Sequence, residues 1–118
     1  MLSPILIAST DTSRRLLIMT VEGPMVDPSH VEALRMVLSA VPAGHSLIVD
    51  LTGATAFSEA SIEALRSIAL EAVGQGHVMI VVCGDLERRT ELVLADLDTL
   101  VPVVQAVEQA LPLTQAAA

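Results

Sequence analysis

The sequence has no lysine, tryptophan or tyrosine, and it has only one phenylalanine and one cysteine. Without lysine, the chain cannot form a Schiff base or build the lysine-containing phosphate loop of nucleotide hydrolases. It also lacks a nucleophile elbow, a Cys-x-x-Cys pair and a His-Glu-x-x-His zinc motif. So few aromatic side chains leave little surface on which a flat cofactor or a base could stack. We therefore expect a protein that is not an enzyme and that needs no cofactor.

Basic residues are scarce as well, and all six are arginines against 14 acidic residues. The net charge of -8 would repel a phosphate backbone, so nucleic acid is not an expected partner. No apolar run reaches the roughly 18 residues that a membrane-spanning helix needs. The stretch from Ser9 to Ser13 is polar where a signal peptide would have its apolar core. Together with the lone Cys83, which cannot form an internal disulfide, these features predict a cytoplasmic protein without membrane insertion.

The sequence does contain enough apolar residues for a hydrophobic core. Of its 118 residues, 53% are hydrophobic, and the mean hydropathy of +0.66 favours a folded chain over a disordered one. The length is typical of a single domain. We predict one domain over residues 1–111 and a loose tail over residues 112–118. The composition leaves both a monomer and a homodimer open.

The stretch from Ser46 to Leu65 organises the rest of the chain. Within it, Leu47–Leu51 is apolar, partly β-branched and too short for a helix, so it predicts a buried strand that ends at Thr52-Gly53. Ser58 suits the N-cap of a helix that runs to about Val73. Ligands and partners of open α/β sheets gather where strands end and helices begin. We therefore expect the functional site at this junction.

Apolar runs and helix signals alternate along the whole chain. The runs predict strands at Pro4–Ala8, Leu16–Val21 (ended by Gly23-Pro24), Leu47–Leu51, His77–Cys83 and Val101–Val104. Helices are predicted from Asp27-Pro28 to Val41, from Glu59 to Val73, along the apolar stripe from Leu86 to Leu97, and over Gln105–Leu111. A short polar connection joins the first two strands, so they should pair antiparallel. This order predicts an α/β fold with a mixed sheet of four to five strands and helices mainly on one face.

Short matches to one known family run through this order of elements. They are Val21-Glu22-Gly23, Val26-Asp27, the strand Leu47–Leu51, Gly76, Arg88 and Leu92. With them the chain resembles a STAS domain, the fold of anti-sigma factor antagonists, over about Leu16 to Leu111. The resemblance implies a non-catalytic protein-interaction domain that regulates bacterial transcription. It also implies that an anti-sigma factor kinase, or another regulatory protein, docks at the start of the second helix.

The phosphoacceptor motif of this family is replaced in the sequence. Where the family has Asp-Ser-Ser-Gly and accepts a phosphoryl group on the first serine, this chain has Ser58-Glu59-Ala60-Ser61. Ser58 stands in the place of the aspartate, Glu59 in that of the phosphorylated serine and Ser61 in that of the glycine. Glu59 either simply suits the first turn of a helix or partly imitates phosphoserine with its one negative charge. We predict that phosphorylation does not switch the domain, with the hydroxyls of Ser58 and Ser61 as the remaining candidates.

The predicted docking site consists of residues in and just after this motif, namely Ser58, Glu59, Ser61, Glu63 and Arg66. Glu63 and Arg66 are three positions apart on a helix, so they should form a weak ion pair in solvent. No metal is expected, because the three histidines are scattered and none has the spacing of a metal-binding pair.

Two other functions fit the same residues. One is a STAS subunit of a larger assembly, either a stressosome-type scaffold or the accessory subunit of a lipid ABC transporter. The other is a small-ligand carrier with an apolar pocket between the sheet and the helices. Both stay open beside the anti-sigma factor antagonist.

Overall fold

The computed structural model describes residues 4–42 and 44–115, apart from the side chains of residues 28 and 115. Five strands, four α-helices and one 3-10 turn follow one another along these residues. They are β1 (Ile5–Asp11), β2 (Leu16–Met25), α1 (Pro28–Ser39), β3 (Ser46–Phe57), α2 (Glu59–Gly74), β4 (Val78–Val82), α3 (Leu86–Leu94), the 3-10 turn Leu97–Thr99, β5 (Val103–Val104) and α4 (Val107–Gln115).

The strands form one mixed sheet in the order β1-β2-β3-β4-β5. β1 pairs antiparallel with β2, while β2, β3, β4 and β5 pair parallel with their neighbours. The antiparallel pair follows from the short turn between β1 and β2, since parallel neighbours need a longer crossover such as α1 or α2. The predicted α/β fold with a mixed sheet is confirmed.

Three strands are longer than the sequence predicted. β1 does not end at Ala8 but runs to Asp11. β2 does not end before Gly23-Pro24 but continues to Met25, with one break in its register between Thr20 and Glu22 and another between Gly23 and Pro24. Such bulges let a strand accommodate a proline and a glycine, and Gly23 adopts a φ of 100°. β3 does not end at Thr52-Gly53 but runs to Phe57. Gly53 permits this because a Cβ there would lie 3.0 Å from the carbonyl oxygen of Val21 on β2.

The first three helices begin where the sequence predicted, but α4 begins at Val107 rather than at Gln105, and the helix ends also differ. Asp27 caps α1 by accepting the backbone N–H of Ser29 at 3.0 Å, as its position before Pro28 indicated. α4 extends to Gln115, four residues past the predicted end at Leu111 and through Pro112. Packing explains the extension, since Ala110 and Thr114 are both buried. Of the predicted loose tail, residues 116–118 lie outside the described part of the chain.

The sheet carries a different layer on each face. On one face, α1, α2 and α3 enclose the larger core, in which Leu34, Leu65 and Leu92 meet the strands. On the other face, α4 alone covers a smaller core that includes Ile48 and Ile80. The prediction of helices mainly on one face is therefore confirmed. Over residues 4–42 and 44–115, no helix is both long and apolar enough to cross a membrane.

Candidate functional site

The start of α2 is fixed by a reciprocal pair of serine hydrogen bonds. Ser58 is the N-cap, and its Oγ accepts the backbone N–H of Ser61 at 3.0 Å. The Oγ of Ser61 in turn accepts the backbone N–H of Ser58 at 2.9 Å and donates to the Ser58 carbonyl oxygen at 2.9 Å. This capping box satisfies two N–H groups that a helix start would otherwise leave without partners.

The Ser58 hydroxyl also connects two parts of the chain. It donates a hydrogen bond to the backbone carbonyl of Val26, in the connection between β2 and α1. One hydroxyl thus caps α2 and holds the neighbouring loop against it. The sequence predicted the cap, but no local sequence pattern predicts a hydrogen bond between residues 32 positions apart.

We expect Ser58→Ala to lower the free energy of unfolding by about 1–2 kcal/mol, because it removes the α2 cap and the bond to Val26. Urea denaturation followed by circular dichroism measures this change. Ser39→Ala is the matched control, since that exposed hydroxyl bonds only to its own helix, at Met36. The control should stay within about 0.5 kcal/mol of the wild type. Equal losses in both variants would contradict the role given to Ser58.

Ser61 does not lie on the accessible part of this site. Its relative exposure is 1%, and its hydroxyl is engaged with Ser58 through both a donated and an accepted bond. Ser61 is therefore not available for docking, in contrast to the prediction. The reason is that Ser61 is the third residue after the N-cap, and in a capping box the side chain at that position points back to the helix start.

The other predicted residues lie at the surface of the first two turns of α2. Glu59 is exposed in the first turn, where the helix dipole favours a negative charge. Glu63 and Arg66 form the expected ion pair, with 3.5 Å between the Glu63 Oε2 and Arg66 Nη1 atoms. The Glu63 side chain is 74% exposed, so the pair adds little to stability.

An open groove of about 840 Å³ lies between the start of α2 and the end of α3. We call it the α2–α3 groove, and it is lined by Phe57, Ser58, Glu59, Ala60, Ile62, Glu63, Glu91, Leu94 and Ala95. The α3 side of the groove was not predicted. The apolar stripe predicted from Leu86 to Leu97 includes Leu94, yet Leu94 is 79% exposed. Leu94 is exposed because α3 packs on the core through Leu92, and a residue two positions further on points about 200° around the helix axis. α3 ends at Leu94, and Asp96 turns the chain with a φ of 62°, so Leu97 lies outside the helix.

The groove combines apolar side chains with carboxylates. Phe57, Ile62 and Leu94 supply the apolar part, and Glu59, Glu63 and Glu91 supply the charge. Glu91 Oε2 lies 3.1 Å from Arg88 Nη1, so its charge is partly balanced. Among the residues that the structure describes, no basic side chain lies within salt-bridge distance of Glu59. The α2–α3 groove is therefore an acidic, partly apolar surface.

The family of the chain is shown by a match over most of its length. Residues 8–110 match the family model described as the STAS domain. The chain belongs to the STAS domain family. The capping box Ser58–Ser61 lies within the matched residues, and the α2–α3 groove opens directly beside it.

Solved structures show the same fold at low sequence identity. An anti-sigma factor antagonist from Mycobacterium paratuberculosis has a TM-score of 0.80 at 18% identity, over 96% of this chain and 95% of its own. A Thermotoga maritima protein provisionally described as an anti-sigma factor antagonist has a TM-score of 0.76 at 11% identity, over 93% and 94%. Mouse Solute Carrier 26 family member A9, an anion transporter, has a TM-score of 0.70 at 19% identity, over 86% of this chain and 18% of its own. No curated protein matches the chain in sequence.

Other polar groups of the STAS domain have local partners. Asp50 accepts the backbone N–H of Thr52 at 3.0 Å and so supports the strand itself rather than a turn at Gly53. Burial raises the pKa of the Cys83 thiol, which keeps it protonated and unreactive. Within residues 4–42 and 44–115, no group of three histidine, cysteine or acidic side chains is placed to hold a metal ion.

Proposed function

We propose that this STAS domain is a non-catalytic regulatory module that binds an anti-sigma factor kinase, or another regulatory protein, through the α2–α3 groove. The observation that carries the proposal is an exposed apolar and acidic groove beside the capping box at the start of α2. Membership of the STAS family and the anti-sigma factor antagonists among its structural relatives support a regulatory protein-interaction role. The buried free thiol of Cys83 agrees with a cytoplasmic location, which is part of the proposal.

The surface of the groove indicates what its partner should present. Leu94 is 79% exposed and favours an apolar contact, because a partner that covers it would remove its side chain from water. The carboxylates of Glu59, Glu63 and Glu91 favour a rim of arginine or lysine on the partner. The net charge of -8 would also speed the approach of a basic surface.

The proposal further states that docking is not switched by phosphorylation of the motif. Glu59 has no hydroxyl at the position where the family accepts the phosphoryl group. Ser58 uses its hydroxyl in the cap and in the bond to Val26, while Ser61 is buried. The helix start therefore offers a constant negative charge at Glu59 in place of a variable one.

We expect Glu63→Arg to weaken binding to the cognate anti-sigma factor kinase by about fivefold, the effect of roughly 1 kcal/mol that is typical of a rim charge. The purified domain is tested against the anti-sigma factor kinases of its source organism by pull-down, and the affinity for any recovered kinase is then measured by calorimetry. Glu108→Arg is the matched control, because Glu108 is exposed on α4, on the other face of the sheet.

Three results would count against this proposal. One is that no kinase is recovered, and another is that both reversals change the affinity equally. The third is recovery of a transport ATPase or of a scaffold protein, which would favour the alternative of a STAS subunit in a larger assembly.

A further inference from the structure

A second and smaller depression lies at the end of the sheet where β2, β3 and β4 begin. It has a volume of about 150 Å³, and we call it the amino-end pocket. Its lining residues come from the turns before the three strands, from the first residues of β3 and β4, and from α4. They are Arg14, Arg15, Gly44, His45, Ser46, Gly76, Val78 and Thr114. Because the three strands are parallel, their first residues lie together at one end of the sheet. The opposite end is the one that leads to α2.

The amino-end pocket has the opposite charge to the rest of the molecule. Its lining includes Arg14, Arg15 and His45 and no carboxylate, although the chain has 14 acidic residues. Arg14 Nε lies 3.6 Å from Asp11 Oδ2, and both side chains are largely exposed, so this pair is weak. Arg15 has no carboxylate within salt-bridge distance among the residues that the structure describes.

The backbone holds Arg15 in an unusual conformation at the rim of the pocket. Its φ of 52° lies in the left-handed region, which is disfavoured for a residue with a long side chain. The Arg15 carbonyl accepts the backbone N–H of Ser46 at 2.8 Å, and this bond fixes the turn against the start of β3. A Cβ placed on Gly44 would lie 3.8 Å from Arg15 Nη1, so the guanidinium folds over that glycine. Strained residues of this kind concentrate at ligand-binding sites.

His45 adds a buried polar atom to the lining of the amino-end pocket. Its Nδ1 atom is buried, and within the described residues it has no hydrogen-bond partner. A buried ring nitrogen without a partner is unfavourable, and it is satisfied by a bound group that shares a proton with it. The side chain lies in the same lining as the two arginines.

We propose that the amino-end pocket binds a small tetrahedral oxyanion of the phosphate and sulfate class. The planar fork of the Arg15 guanidinium matches two oxygens of such an ion, and Arg14 and His45 can supply further donors. The volume of about 150 Å³ lies below the usual size of sites for drug-sized ligands and suits a single oxyanion. A free ion and the phosphoryl group of a small phosphate ester share this chemistry.

The test is a titration of the whole chain with sodium phosphate at constant ionic strength, with sodium chloride as the balancing salt. Backbone amide shifts are followed by NMR, and we expect saturable changes at Gly44, Ser46 and Gly76. A parallel titration with glycerol 3-phosphate separates the two sources, because an ester binds only if the phosphoryl group can enter from solvent.

Arg15→Gln should weaken phosphate binding by at least about tenfold, since it removes charge-assisted hydrogen bonds. Arg88→Gln is the charge-matched control on α3 and should leave the affinity within about twofold of the wild type. Arg15→Lys keeps the charge but loses the fork, so it should be intermediate, and it also serves if Arg15→Gln proves unstable. Shifts that do not saturate, shifts spread evenly over the surface, or equal losses in Arg15→Gln and Arg88→Gln would overturn the proposal.

Discussion

Leu92→Ala is expected to lower the free energy of unfolding by about 2–5 kcal/mol. Of the nine described residues of α3, only Leu92 is buried, and its exposure is 0%. It therefore provides the main contact by which α3 packs on the larger core. Truncation removes apolar contacts and leaves a cavity that a single short helix cannot close without moving. Urea denaturation followed by circular dichroism measures the loss.

The matched control for this prediction lies two positions away. Leu94→Ala changes the same residue type in the same helix, but Leu94 is 79% exposed. Its effect on the free energy of unfolding should stay within about 0.5 kcal/mol. Because Leu94 lines the α2–α3 groove, the same variant should weaken partner binding while leaving the fold intact. Similar destabilisation by both variants would mean that the two leucines are not placed as described.

The fold could be predicted from the sequence where a local pattern has one physical solution. Asp27 before Pro28 and Ser58 before Glu59 place an acceptor at a helix start, and both are caps in the structure. The strand ends could not be predicted in the same way. Glycine and proline usually end a strand, but at Gly23 and Gly53 they permit a bulge and a close approach between β2 and β3. Only the neighbouring strand decides between these outcomes.

The candidate site was predicted on one side only. Glu59, Glu63 and Arg66 lie on the surface of α2 because residues near a helix start have a defined direction once the cap is known. The opposite wall of the groove, with Glu91 and Leu94, comes from a helix that the sheet topology brings alongside. No local pattern in the sequence indicates that contact.

The misplacement of Leu94 has a specific cause. The predicted stripe from Leu86 to Leu97 includes Leu94, but α3 faces the core with Leu92, and a residue two positions away points about 200° around the helix axis. Leu97 lies beyond the left-handed turn at Asp96 and outside the helix. The true buried position, Leu92, lies between the residues of that stripe. Aspartate adopts the left-handed conformation only occasionally, so Asp96 by itself does not show where α3 ends.

The measurement that most directly tests the central claim is the intact mass of the domain after incubation with ATP and an anti-sigma factor kinase that the pull-down recovers. The claim is that the start of α2 is a docking surface without a phosphoacceptor. We expect the wild-type chain to gain no phosphoryl group, because Glu59 has no hydroxyl, Ser58 is engaged with Val26 and Ser61 is buried.

The double variant Ser58→Asp with Glu59→Ser restores the acidic cap and a hydroxyl at the family position, and it serves as the positive control. We expect one phosphoryl group per chain on this variant and none on the wild type, measured in the same reaction with the same kinase. A stoichiometric phosphoryl group on wild-type Ser58 or Ser61 would contradict the account.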